Sequence, residues 1–243
     1  MKHTEYYQQV LADVETRLNA HPNAFEFTGD DIQYDDGTLP SPTIVVDVNL
    51  KLIDGSQFDL TAQELARLFL IPNGATIRFI EQKHTSPDGA LPGLYIKNSH
   101  RFNQTGHETN VGIYHLGNAD RGLYIDHLFY DDLKTPARFA TVGFALLALE
   151  AFRHGFTEIE LLAGGGAGQH ASEWGIEHMI GYKIWPRFGF DALLEEGETN
   201  GFPHLSNCQT VSEVVAIDPD WWNNDHGNGR IMTFRLEPLV HSN

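Results

Sequence analysis

The feature that most constrains this chain is a run of four strand-like segments followed by an abrupt change of period. Residues 75–82, 93–98, 109–117 and 121–130 read as successive strands, and polar loops such as SPDGALPG and RFNQTGHETN separate them. Val142, Ala145, Leu146, Leu149 and Phe152 then recur at helical spacing over 140–154, and Gly155 is placed as the C′ residue. After it, 157–162 reads as a short buried strand, 164–168 as a glycine-rich loop and 170–180 as another helix. Met232, Phe234 and Leu236 alternate in a final strand, preceded by an acidic loop over 218–227. Consecutive strands without intervening helices pair antiparallel, so the order predicts an α+β (mixed α/β) fold and not a regular doubly wound one.

The N-terminal part reads differently. Tyr7, Leu11, Val14 and Leu18 predict an amphipathic helix over 4–20 that stops before Pro22, and 25–42 reads as a loop. A strand over 46–52 turns at Asp54-Gly55 and returns through Phe58 and Leu60. Thr61 and Glu64 make a capping box, with Leu60 and Leu65 as its staple, for a short helix over 62–70 ended by Pro72-Asn73-Gly74. The expected organisation is a helix-and-hairpin extension, 1–74, before a main domain, 75–243.

Sixteen Lys and Arg against 33 Asp and Glu give a formal charge of −17. A surface this negative repels phosphate backbones and anionic lipid, so neither nucleic acid nor a membrane is an expected partner, and a cationic substrate fits better. Cys208 is the single cysteine, which excludes an intrachain disulfide and favours a reducing compartment. The polar N-terminus has no apolar core of a signal peptide, and the apolar stretch 140–149 is too short to cross a bilayer. A soluble cytoplasmic protein is expected, although an effector exported by another route has the same pattern.

The stretch 122–192 carries the chemistry. A strand, LYIDHLFY, runs into the loop DDLKTPARFATVG, a buried helix, a second strand and then GYKIWPRFGFDA. This succession resembles the GNAT superfamily of acyl-CoA-dependent N-acyltransferases, whose loop after the fourth strand carries Arg/Gln-x-x-Gly-x-Gly/Ala. Arg138-Phe139-Ala140-Thr141-Val142-Gly143 follows that pattern, with Thr141 in place of the first glycine.

The resemblance implies a mostly antiparallel central sheet flanked by helices. It also implies acetyl-CoA or another acyl-CoA as co-substrate, and the amine of a small cationic molecule or a protein as acceptor. The backbone of Phe139, Ala140, Thr141, Val142 and Gly143 would bind pyrophosphate at a helix start, with Lys134 and Arg138 adding positive charge. Leu128, Phe129 and Tyr130 would line the pantetheine arm. Asp126, with His127 beside it, is the matching base for deprotonating an ammonium. The family's Tyr-x-x-x-Gly-Phe acid has Trp185 at the tyrosine position, so Tyr182, a helical turn earlier, is the substitute.

Plainer readings stand beside these. Arg138 also reads as a solvated helix-start residue, Asp126 and His127 as a surface ladder, and Tyr182, Trp185 and Phe188 as packing. Thr141 and Trp185 leave open a catalytically inactive GNAT-shaped binding or toxin-associated module. Gly166-Ala167-Gly168-Gln169-His170-Ala171, in the glycine-rich loop 164–168, also fits a nucleotide-binding fingerprint, but KIWPRFGF with Pro186 is a poor parallel strand to follow it. No metal centre is expected. HExxH is absent, one cysteine cannot build a thiolate cluster, and His170 and His178 are too far apart along a helix to share an ion.

Overall fold

Tyr95 and Tyr114 show how the central strands find their register. Each lies opposite a glycine on the next strand, Tyr95 against Gly112 and Tyr114 against Gly122. A Cβ on either glycine would come within 2.4 Å or less of the facing ring, so glycine lets each ring lie across the neighbouring strand. The hydroxyls end in hydrogen bonds, Tyr95 to the Leu91 carbonyl at 2.7 Å and Tyr114 to Glu158 at 2.9 Å. Buried rings with satisfied hydroxyls fix the pairing, because a slip of one residue would reverse every face.

The computed structural model describes residues 6, 10–35, 47–52, 54–87, 89–117, 120–174 and 179–236. Residues 4, 5 and 7–9 of the expected N-terminal helix, Val46 at the hairpin start, residues 36–42 of the expected loop, and 175–178 with His178 lie outside them. The chain forms two compact units, residues 1–159 with 236–243, and 160–235. The division falls after Ile159, whereas the change of pattern in the sequence lies at residue 74.

In the first unit, β1 (Gln33–Tyr34), β2 (Asp47–Lys51), β3 (Gln57–Thr61), β4 (Thr76–Gln82), β5 (Gly93–Ser99), β6 (Thr109–Gly117) and β7 (Asp120–His127) form in chain order. β2 and β3 make the expected hairpin, with Leu50 opposite Phe58. β4 to β7 run as an antiparallel meander, and β1 lies parallel against β4 at the far edge. β1 was not expected within the loop over 25–42. Nor was the 3-10 helix Pro22–Phe27, which opens with proline and is capped by the His21 ring accepting from the Asn23 N–H. β8 (Glu158–Leu162) takes its place next to β7. The sheet is thus mixed but mostly antiparallel.

The helices of this unit depart from expectation to different degrees. α1 (Ala12–Asn19) lies within the expected helix over 4–20, and α2 (Ala62–Leu68) has both halves of its capping box. α3 (Phe139–Arg153) is apolar on most sides because ten of its residues are buried. It ends in a Schellman motif: Gly155 takes φ +75°, its N–H bonds the Phe152 carbonyl, and Phe156 N–H bonds that of Ala151. Its first turn is anchored by a cluster of Ala24, Phe27, Phe102, Phe139, Val142 and Leu146. The Phe139 ring lies 4.5 Å from that of Phe102 and 5.1 Å from that of Phe27.

In the second unit the rest of β8 neighbours β9 (Ile231–Arg235). Between them come a 3-10 helix, Gly168–Trp174, then α4 (Gly181–Ile184) and α5 (Val211–Ile217). The expected α-helix over 170–180 is 3-10 as far as Trp174. The expected loop over 218–227 contains a π-helix, Trp221–His226, whose Trp222 is buried and donates its indole N–H to the Tyr182 carbonyl at 2.9 Å. α5 was not expected, although Thr210 and Glu213 cap it as Thr61 and Glu64 cap α2.

A candidate site between the β7 bulge and the start of α3

Register places a β-bulge at one predicted residue. Asn110 on β6 opposes His127 and Val111 opposes Ile125, which leaves Asp126 as the extra residue of β7. A bulge interrupts side-chain alternation and re-aims the strand. Beyond it the chain leaves β6 and pairs with 102–104 instead: Gln104 N–H bonds the Phe129 carbonyl, and Asp131 N–H that of Phe102.

Asp126 is half-buried, and its Oδ2 accepts from the Asn110 amide at 2.5 Å. Asn110 is buried, and its own Oδ1 has no hydrogen-bond partner among the described residues. His127 Nε2 lies 2.9 Å from His107 Nδ1, so one ring donates and the other accepts. The two imidazole planes are nearly parallel, 8° apart, and the Phe129 ring packs within 4.7 Å of both.

Tyr130, the last of the expected pantetheine-lining residues, packs edge-on against Phe139. Its buried hydroxyl has no partner among the described residues, and burial raises its pKa, so the group stays protonated. Leu128 is half-buried. Nearby, His100 accepts from the Phe102 N–H through Nδ1, and burial, with the Arg101 charge adding to it, pushes its pKa down to about 4.

Lys134 is paired with an acid of its own loop. Its ammonium lies 2.7 Å from Asp131, a carboxyl held below its ordinary range first by that hydrogen bond and then by the Leu133 N–H. The available positive charge of the loop is therefore Arg138, which is exposed and has no ion-pair partner among the described residues.

Arg138 is also the N-cap of α3, with φ 66° and ψ 10° and no side-chain cap. A non-glycine residue there carries strain of about 1–2 kcal/mol, which concentrates at functional positions. Phe139 N–H bonds the Pro136 carbonyl and Val142 N–H that of Arg138, while the N–H groups of Ala140 and Thr141 have no acceptor among the described residues.

The five residues expected to bind pyrophosphate divide by burial. Phe139, Val142 and Gly143 turn into the protein, whereas Ala140 is half-buried and Thr141 exposed. Gly143 serves close packing, because a Cβ there would lie 2.9 Å from the Phe27 ring and 3.4 Å from Leu70. The accessible groups at the helix start are thus two N–H donors, one guanidinium and the Thr141 hydroxyl. No protein-family model matches this chain, and no curated protein is significantly similar to it.

Tyr182 belongs to the second unit. It is buried, and its hydroxyl donates to the Asn223 carbonyl at 3.1 Å. Trp185 packs its ring on Phe190 at 5.2 Å and on Phe188 at 5.8 Å. In the glycine-rich loop, a Cβ on Gly165 would strike the Met179 carbonyl, one on Gly166 would strike His170, and one on Gly168 would strike the Asp225 carbonyl. Backbone packing alone accounts for those three glycines. Sequence reasoning missed Asn110 and His107, whose contribution depends on the strand opposite. The alternation of β6 with β7 was the only signal that pointed to them.

Proposed function

We propose that this chain is an acyl-CoA-dependent N-acyltransferase that moves an acetyl or longer acyl group to the amine of a small cationic molecule or a protein. The observation that carries the reading is the start of α3. There the N–H groups of Ala140 and Thr141 lack acceptors among the described residues, beside an Arg138 without an ion pair and held in a left-handed conformation. Two aligned donors, the positive helix end and a guanidinium are what a pyrophosphate needs. Leu128, Phe129 and Tyr130, between the bulge and this helix, would flank the pantetheine arm.

An amine with a pKa near 10 must lose a proton before it attacks a thioester. The Asp126 carboxylate would take that proton, directly or through water, while the Asn110 amide holds its Oδ2. The nitrogen then attacks the thioester carbonyl, the C–N bond forms as the C–S bond breaks, and coenzyme A leaves as a thiolate that takes up a proton. The overall charge of −17 favours the approach of a cation.

The test is release of free CoA thiol when the protein meets acetyl-CoA and a panel of polyamines, aminoglycosides and peptides. Thiol release with one acceptor class supports the reading. Absence of release, together with absence of any thermal shift by CoA, defeats it. Binding without turnover, abolished by Arg138→Ala, would instead mark a binding module, a reading that the packed Trp185 ring favours.

A further inference from the structure

Three side chains remote in sequence converge at the opposite end of α3. Glu150 and His154 lie one turn apart on one face of the helix, and Glu64 reaches them from α2. His154 Nε2 is 3.4 Å from Glu64 Oε1 and 3.5 Å from Glu150 Oε1, and one ligand atom from each of the three falls within 4.8 Å of the others. These spacings are too long for good hydrogen bonds to a carboxylate. The two distances from His154 match the edge of a tetrahedron, about 3.4 Å, around an ion bound at about 2.0–2.1 Å by nitrogen and oxygen.

Two facing atoms of the cluster lack hydrogen bonds. The Glu150 carboxylate is 2% exposed, yet its Oε1 has no hydrogen-bond partner among the described residues, and the same is true of His154 Nε2. Buried, unsatisfied acceptors aimed at one point are costly unless something binds them. The remaining oxygens are already employed. Glu64 Oε2 accepts from the Thr61 N–H and hydroxyl at 2.8 Å each, which holds the other oxygen toward the cluster as an outer-shell partner would. Glu150 Oε2 faces Arg67 Nη1 at 3.6 Å and Arg153 Nη1 at 3.5 Å.

Arg67 and Arg153 each face both Glu15 and Glu150, so carboxylates and guanidiniums alternate around the cluster. Arg153 Nη1 also approaches Glu150 Oε1 at 3.4 Å, without hydrogen-bond geometry. The C-terminal end of a fifteen-residue helix adds partial negative charge, and the Phe58 ring, 5.1 Å from the imidazole, packs against His154.

We propose that Glu64, Glu150 and His154 form a binding site for a zinc-type divalent cation, with water completing four-coordination. Imidazole nitrogen with two carboxylate oxygens suits zinc better than calcium or magnesium, which take oxygen sets and more ligands. The ion would pin α2 to the end of α3, a structural role independent of acyl transfer.

The full-length chain, stripped with a chelator, is titrated with Zn²⁺ by calorimetry and with Co²⁺ by visible absorption. One equivalent should bind, with the strong bands of four-coordinate cobalt and a rise in melting temperature. Glu64→Gln keeps the capping box and should still fold, but it should bind zinc more than about tenfold more weakly, as should His154→Gln. His204→Gln, in an exposed pair with Asp218, should bind as the parent does. The proposal is overturned if there is no saturable zinc binding, if affinity is unchanged in both Glu64→Gln and His154→Gln, or if Mg²⁺ binds in preference to Zn²⁺.

Discussion

Arg138→Gly separates backbone strain from ligand binding at the start of α3. Arg138 holds φ 66°, a region that costs an L-residue about 1–2 kcal/mol. Glycine relieves that cost and is accepted at an N-cap, but it frees the unfolded chain by roughly 0.4–1 kcal/mol. The exposed guanidinium has no ion pair among the described residues, so its removal forfeits no contact. The variant should therefore be more stable by about 0.5–1 kcal/mol, a rise of about 1–3 °C in melting temperature for a chain of this size. Coenzyme A binding should move the other way. One charge-assisted hydrogen bond to phosphate is worth about 1.5–3 kcal/mol, so affinity should fall about ten- to 150-fold.

Urea unfolding without ligand and calorimetric titration with CoA measure the two halves separately. Arg138→Lys is the control, because it keeps both the charge and the strained backbone. It should leave stability unchanged and weaken CoA binding less than glycine does. If Arg138→Gly unfolds at lower urea than the parent, the guanidinium is structural and the strain argument is wrong. If it is more stable yet binds CoA unchanged, the start of α3 is not a phosphate site.

Asp126→Asn should lower turnover by about 10²- to 10⁴-fold while CoA affinity holds, read by steady-state kinetics beside calorimetry; equal loss of both would mean that the residue serves only the bulge. Gly143→Ala forces a methyl to 2.9 Å from the Phe27 ring, an overpacking cost of about 1–3 kcal/mol against the roughly 0.8–1 kcal/mol that alanine adds to a helix. Urea unfolding should therefore show a net loss of up to about 2 kcal/mol, and a raised midpoint would contradict that packing. His100 has its folded pKa near 4, below the ordinary 6.5, so between those values the unfolded chain binds a proton that the folded chain refuses. Its stabilisation is complete above pH 6.5 and is lost as pH falls toward 4, by up to about 3 kcal/mol, and His100→Gln should flatten that part of the stability curve.

What could be read in the sequence was whatever depends on contiguous residues. The four meander strands were legible as apolar runs bounded by turn-rich loops, and Thr61 with Glu64 spelled out a helix start that formed with both hydrogen bonds in place. β1 escaped notice because two residues, Gln33 and Tyr34, are too few to show a period. α5 carried the same capping signature as α2, but only Val211 and Val214 of its face are buried, too weak a stripe to read as a helix. The bulge at Asp126 exists only relative to its partner strand, so no pattern along β7 could announce it. Glu64 with Glu150 and His154, like His107 with His127, meet only after folding.

Thr141 is the position where sequence and structure bear on each other most directly. Against the pattern that it resembles, a threonine at the first glycine's position leaves two readings open, obstruction of the phosphates or a hydroxyl that donates to them. In the folded chain the left-handed residue of that turn is Arg138, and Thr141 lies three residues on, inside the first turn of α3 and not among the residues of positive φ. A glycine is therefore not required at 141 for conformation, and the threonine imposes no strain on the backbone. Its side chain is exposed at the helix start, next to the two N–H groups without acceptors, where a hydroxyl can donate to a phosphate oxygen. Any cost of the departure is therefore steric, and a hydroxyl among the donors at the helix start can offset it.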